Sequence, residues 1–216
     1  HQSQVAAAEI AAGRQAVEVF LQHAGLSWVC AVIGATHSGW DCVRAPGRAP
    51  IPVSMLAIMS QRPHSAAPSA AAPLAAIDIG SNSFRLELAQ LQQGRYRRIA
   101  YLKETVRLGG GLDAEGYLTE TAMQTGLDCL HRFATRLQGF EAGQVRAVAT
   151  QTLREARNRD AFLLRAEAAL GYPLEVISGR EEARLIYAGV SVLQPGSAER
   201  LVVDIGGRST EMILGQ

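Results

Sequence analysis

Two stretches of the chain follow one pattern. Residues 74–88 read Leu-Ala-Ala-Ile-Asp-Ile-Gly-Ser-Asn-Ser-Phe-Arg-Leu-Glu-Leu, and residues 201–214 read Leu-Val-Val-Asp-Ile-Gly-Gly-Arg-Ser-Thr-Glu-Met-Ile-Leu. In each, an apolar run ends in Asp-Ile-Gly, a short polar turn follows and apolar residues resume. That sequence of events describes a buried strand, a tight turn and a second strand. A fold that opens on such a hairpin and then repeats it is starting a second copy of the same domain.

The chemistry of the turns is equally restricted. Asp78 and Asp204 sit where the first strand of each copy runs out, so both carboxylates are expected to leave a rigid sheet and enter the turn region. Gly80, Gly206 and Gly207 are expected to take backbone angles closed to other residues, letting several N–H groups converge. Converging amides beside a carboxylate suit a phosphate and a divalent cation. A lone Asp-x-Gly after a strand is ordinarily just a turn; two with the same flanks point to a repeated site.

Between the copies the periodicity switches from strands to helices. Ala75–Ile79, Phe84–Leu91 and a strand from about Tyr96 to Lys103 form an antiparallel meander, with Gln93-Gly94 as a turn. The Gly-rich segment Val106–Gly116 is expected to be a mobile loop. Thr119 can cap a helix carrying Met123, Leu127, Leu130, Ala134 and Leu137 on one face, stopped by Gly139. Val145–Ala149 reads as a buried strand. Asn158 is expected to cap a second helix that ends at Gly171 and Pro173. Leu174–Ile177 is a further strand, and Ser178 with Glu181 has the spacing of a capping box opening a third helix with Ala183, Ile186, Tyr187 and Val190 on one face. The order βββ-α-β-α-β-α-ββ implies a mixed sheet covered by helices.

What precedes Leu74 differs in character. No Met occurs before Met55, and residues 1–58 are expected to be an upstream or fused segment, with a helix over Val5–His23. Residues 59–73 belong to a Pro-, Ala- and Ser-rich linker. The expected organisation is therefore a first lobe over 74–196 and the truncated start of its twin over 197–216. With 21 basic and 20 acidic residues there is no net field to gather nucleic acid or an anionic membrane. The nearly apolar run Ala24–Ala35 is too short to span a bilayer. Cys30, Cys42 and Cys129 form no close pair, which fits a reducing, cytoplasmic setting.

A duplicated lobe opening on a phosphate-binding Asp-x-Gly hairpin resembles the superfamily of actin, heat-shock ATPases and sugar kinases, an α/β ribonuclease H-like (actin-like ATPase) fold with a mixed five-stranded sheet and flanking helices. Ile-Asp-Ile-Gly-Ser-Asn-Ser-Phe (77–84), Thr-Leu-Arg-Glu-Ala (152–156), Ile-Ser-Gly-Arg-Glu-Glu-Ala-Arg-Leu-Ile-Tyr (177–187) and Val-Asp-Ile-Gly-Gly-Arg-Ser-Thr-Glu (203–211) resemble the exopolyphosphatase and guanosine pentaphosphate phosphohydrolase family. The resemblance runs from about Leu74 to Gln216. It implies that Glu182 is the general base that activates water. The residues agree: Glu181 is placed to close the capping box, leaving Glu182 one turn before Ile186 on the inward side without a buried partner.

The resemblance further implies Asp78, Asp204 and Glu211 around a divalent metal, Mg²⁺. It places Asn82, Ser83, Gly206, Gly207, Ser209 and Thr210 against phosphate, and Arg154 as a planar fork on a phosphate. A homodimer is implied in the same way. Arg208 departs from the family, which commonly has a small residue there. If the position needs a positive φ, an Arg is costly; if not, its guanidinium adds a phosphate contact. The implied reaction is hydrolysis of a terminal phosphoanhydride bond, with long polyphosphate as the first expected substrate and guanosine pentaphosphate as the alternative. A sugar or acetate kinase of the same superfamily would need an adenosine-binding motif further on. A lobe with only the first hairpin of its twin is expected to fold without catalysing.

Overall fold

The computed structural model describes residues 30–36, 39–43, 72–92, 95–194 and 196–215. The expected Val5–His23 helix, nearly all of the linker and the Gln93-Gly94 turn lie outside them. In chain order the elements are β1 (Cys30–Thr36), β2 (Gly39–Val43), β3 (Leu74–Ile79), β4 (Ser83–Gln92), β5 (Arg95–Thr105), α1 (Glu120–Arg136), β6 (Val145–Ala149), α2 (Gln151–Glu155), α3 (Arg159–Leu170), β7 (Leu174–Val176), α4 (Gly179–Leu193), β8 (Arg200–Ile205) and β9 (Thr210–Gly215).

The strands form two sheets. The first has the order β5-β4-β3-β6-β7, antiparallel through the opening meander and parallel where β3 meets β6 and β6 meets β7. This is the expected mixed five-stranded sheet. β3, at its centre, is buried along its whole length, as a strand covered on both faces must be. The second sheet has the order β2-β1-β8-β9. Here β1 pairs antiparallel with β8, so a backbone segment from the region expected to be upstream extends the second hairpin.

Helices fill the space around these sheets by their apolar stripes. On one face of the first sheet, Leu127, Leu130 and Phe133 of α1 and Phe162 of α3 pack on Ile77, Phe84 and Leu86. Gly126 lets α1 approach closely, because a Cβ there would stand 3.2 Å from the Phe162 ring. α4 serves both sheets. Its Leu185 joins Leu74, Ala76 and Val148 on the other face of the first sheet, while Ile186 and Val190 pack on Val202 of β8.

Local details revise several expectations. The Gly-rich segment is no open loop: Leu108–Gly111 forms a turn of 3₁₀ helix with Leu108 and Gly109 buried. It is tied to the first hairpin, because Val106 N and Arg107 N donate to the Asn82 carbonyl and Gly109 N to that of Ser81. Asn158 stands at the start of α3 but caps nothing with its side chain. It instead accepts from Leu118 N and donates to Leu118 O, at 2.8 and 2.9 Å. Ser178 does cap α4, accepting from Glu181 N at 3.1 Å, yet Glu181 turns outward to Arg184 and closes no box.

Candidate active site

Strand periodicity and the position of α4 bring the acidic residues together. Along β3, Leu74 and Ala76 face α4, and Asp78 continues that parity. Along β8, Val202 packs on α4, and Asp204 is the next residue on the same face. Ile213 of β9 is packed there too, which aims Glu211 at the same space. Glu182, in the first turn of α4, meets them from the helix side and is only 4% exposed.

The two hairpins share one register. Asp78 stands opposite Arg85 and Asp204 opposite Glu211. The first copy therefore neutralises its carboxylate across the strands, with Arg85 Nη1 donating to Asp78 Oδ2 at 2.7 Å. The second copy sets two acids side by side. Carboxylate oxygens of Glu182, Asp204 and Glu211 all lie within 4.8 Å of one another. Asp78 Oδ1 and Glu211 Oε2 are buried without a hydrogen-bond partner among the described residues. A group of buried acids with unused oxygens is suited to a hard divalent cation.

Their titration reflects the same crowding. Burial pushes Glu182 up to about 7, against the hydrogen bond from Arg154, with the Glu211 and Asp78 charges adding to the rise. Burial also pushes Asp78 up to about 6, opposed by Arg85. Asp204 is pushed up to about 6 by burial and then by Glu211. All three are cases of desolvation disfavouring the charged form.

These residues open onto a pocket of about 270 Å³ whose walls include Asp78, Asn82, Ser83, Glu182, Asp204, Gly206, Gly207 and Ser209. Of the expected site residues, Arg154, Thr210 and Glu211 are not in its lining. Arg154 lies behind Glu182, donating to Glu182 Oε2 at 2.8 Å, to the Ile177 carbonyl at 2.9 Å and to Gln151. It also stands 3.6 Å from Glu211 Oε1. Glu182 therefore has a half-buried partner that its sequence position did not reveal. Thr210 is exposed at the start of β9.

The glycines are required for a different reason from the one expected. Among the described glycines only Gly116, Gly139 and Gly171 have positive φ. A Cβ on Gly80 would stand 2.9 Å from the Ser83 carbonyl, and one on Gly207 would stand 2.9 Å from Asn82 Cβ. Close approach, of backbone within one hairpin and of one hairpin to the other, is the constraint. Arg208 likewise has no positive φ, so no backbone cost attaches to its side chain. Sequence reasoning missed two cations of the pocket wall, Arg85 and Lys103. The hairpin register could have found them, since Asp78, Arg85 and Lys103 stand in line across three strands.

Known proteins share this architecture. The model of the Ppx/GppA phosphatase family matches residues 88–216. A protein of Vibrio vulnificus strain YJ016 named guanosine-5'-triphosphate,3'-diphosphate pyrophosphatase is 52% identical over 142 residues, which is 66% of this chain and 29% of that protein. Its namesake in Vibrio parahaemolyticus is 51% identical over the same extent. The crystal structure of the Aquifex aeolicus member of the Ppx/GppA family matches with a TM-score of 0.54 at 30% identity, over 66% of this chain and 50% of that one. An exopolyphosphatase from Cytophaga hutchinsonii matches with a TM-score of 0.55 at 26% identity, over 67% and 50%. The chain thus spans under a third of the curated relatives' length and about half of the solved structures. With its family model matched over more than half the chain and its repeated Asp-Ile-Gly hairpin, this chain belongs to the Ppx/GppA phosphatase family.

Proposed function

We propose that the intact protein hydrolyses the terminal phosphoanhydride bond of guanosine pentaphosphate, releasing orthophosphate. The observation that carries this reading is one pocket holding both turns and a carboxyl, Glu182, that titrates near neutrality. A base is most effective when its pKa lies near the working pH. Polyphosphate was the first substrate expected from sequence; the names of the Vibrio relatives favour the nucleotide.

In this reading the turn amides of Gly206 and Gly207, with Asn82, Ser83 and Ser209 of the pocket wall, hold the terminal phosphate. Glu182 takes a proton from water as its oxygen bonds to phosphorus. The bridging P–O bond breaks, and its electrons leave with the shortened nucleotide. Arg154 keeps Glu182 oriented. Asp78, Asp204 and Glu211 would hold Mg²⁺, which when bound offsets the negative charge of the phosphate oxygens. Residues 74–196 are read as the first lobe and 197–216 as the opening of its twin.

Phosphate release from guanosine pentaphosphate and from long-chain polyphosphate, each with Mg²⁺, tests this. The nucleotide is expected to give the higher kcat/KM, and Glu182→Gln to lower kcat by roughly 10²–10⁴-fold on both. A preference for polyphosphate would overturn the substrate assignment, and an unaffected Glu182→Gln would remove Glu182 as the base.

A further inference from the structure

Arg208 belongs to the second hairpin, yet among the described residues both of its side-chain hydrogen bonds go to the first lobe. Its Nε donates to Glu155 Oε2 at 2.6 Å and its Nη1 to the Gly109 carbonyl at 3.3 Å. Its stem passes close to residue 109: a Cβ there would stand 3.3 Å from Arg208 Cδ.

From Glu155 the bonds continue without a break. Gln151 Nε2 donates to Glu155 Oε1 at 2.5 Å. Gln151 Oε1 accepts from Arg154 Nε and Nη2 at 3.0 and 2.7 Å. Arg154 Nη1 then donates to Glu182 Oε2 at 2.8 Å. The Gln151 amide has one donor end and one acceptor end, so the Glu155 carboxylate on one side dictates that its oxygen faces Arg154 on the other. Arg208 and Glu155 are both over a third exposed in their side chains. An ion pair this open adds little to stability, so its effect is geometric.

We propose that Arg208 is a positioning residue, a strut at the pocket wall that docks the second hairpin on the first lobe and, through Glu155, Gln151 and Arg154, holds the Glu182 carboxylate in its working orientation. The kinetic half of this inference rests on Glu182 acting as the base. The docking half does not.

The test uses Arg208→Ala, Arg208→Lys, Glu155→Ala and the double Ala variant of the intact protein. If the strut works through Glu155, each single Ala variant lowers kcat about tenfold with KM changed less than about twofold, and the double is no worse than either. Arg208→Lys, which keeps the charge toward Glu155, recovers part of the loss. A raised KM with unchanged kcat in Arg208→Ala, with Glu155→Ala unaffected, would make Arg208 a direct phosphate ligand and overturn the proposal. Losses that multiply in the double variant would overturn it as well. Hydrogen exchange separates failure here from failure of the reaction assigned above. Amides over residues 204–210 are expected to exchange about two- to fivefold faster in both single Ala variants. Unchanged protection would remove the strut even if no substrate is turned over.

Discussion

Glu182 is held between opposing influences. Burial and the Glu211 and Asp78 charges favour its neutral form, while Arg154 favours the carboxylate. Removing Arg154 takes away the lowering influences and leaves the raising ones, so its pKa must climb above about 7. Arg154→Ala is therefore expected to move the acid limb of the kcat/KM profile to higher pH. A limb that stays in place would show that another group sets it. The inward position of Glu182 was legible from its helical spacing. Its ion pair was not, because Arg154 arrives from another helix, 28 residues away in sequence.

The three adjacent glycines show how differently neighbouring positions in one element are constrained. A Cβ on Gly111 would stand 2.1 Å from Ala122 Cβ, and one on Gly109 would stand 2.9 Å from Thr152 Oγ1, whereas Gly110 has nothing within 4 Å. Gly111→Ala should cost about 1–3 kcal/mol in unfolding free energy through overpacking, and Gly110→Ala should be near neutral. Equal midpoints in denaturant titrations would show that α1 yields at Ala122. Composition marked this stretch as a loop because Gly usually signals freedom. Docking on Ser81 and Asn82 turned the same residues into packing contacts.

Across the whole molecule, two sheets share one helix, and the acids of both are buried where they meet. Asp78, Glu182 and Asp204 each bind protons more readily folded than at their ordinary values of 3.8, 4.5 and 3.8. Their contribution to stability is therefore full below about pH 4 and lost as pH rises through about 6 to 7. Exposed acids with lowered pKa, such as Glu120 and Glu155, act in the opposite sense but are screened by solvent. Asp204→Asn should thus stabilise the apo protein at pH 8 and leave it nearly unchanged at pH 4. Mg²⁺ should raise the midpoint of the wild type at pH 8 by more than that of Asp204→Asn. A variant equally stable to wild type at both pH values would mean that Asp204 is relieved by solvent.

Local order in this chain comes from its sequence: period-2 apolar runs set the strands, Thr119 and Ser178 start helices, Gly171 ends one, and the repeated Asp-Ile-Gly announces the duplicated hairpin. These are short-range effects of backbone sterics and side-chain periodicity, so they can be read without the fold. Tertiary structure decided the pairings. It set Asp78 against Arg85, gathered Glu182 with Asp204 and Glu211, turned Asn158 to Leu118 and carried Arg208 across to Glu155. Partners distant in sequence are chosen by which faces the packed sheets and α4 bring together, and burial in that junction then sets how their charges behave.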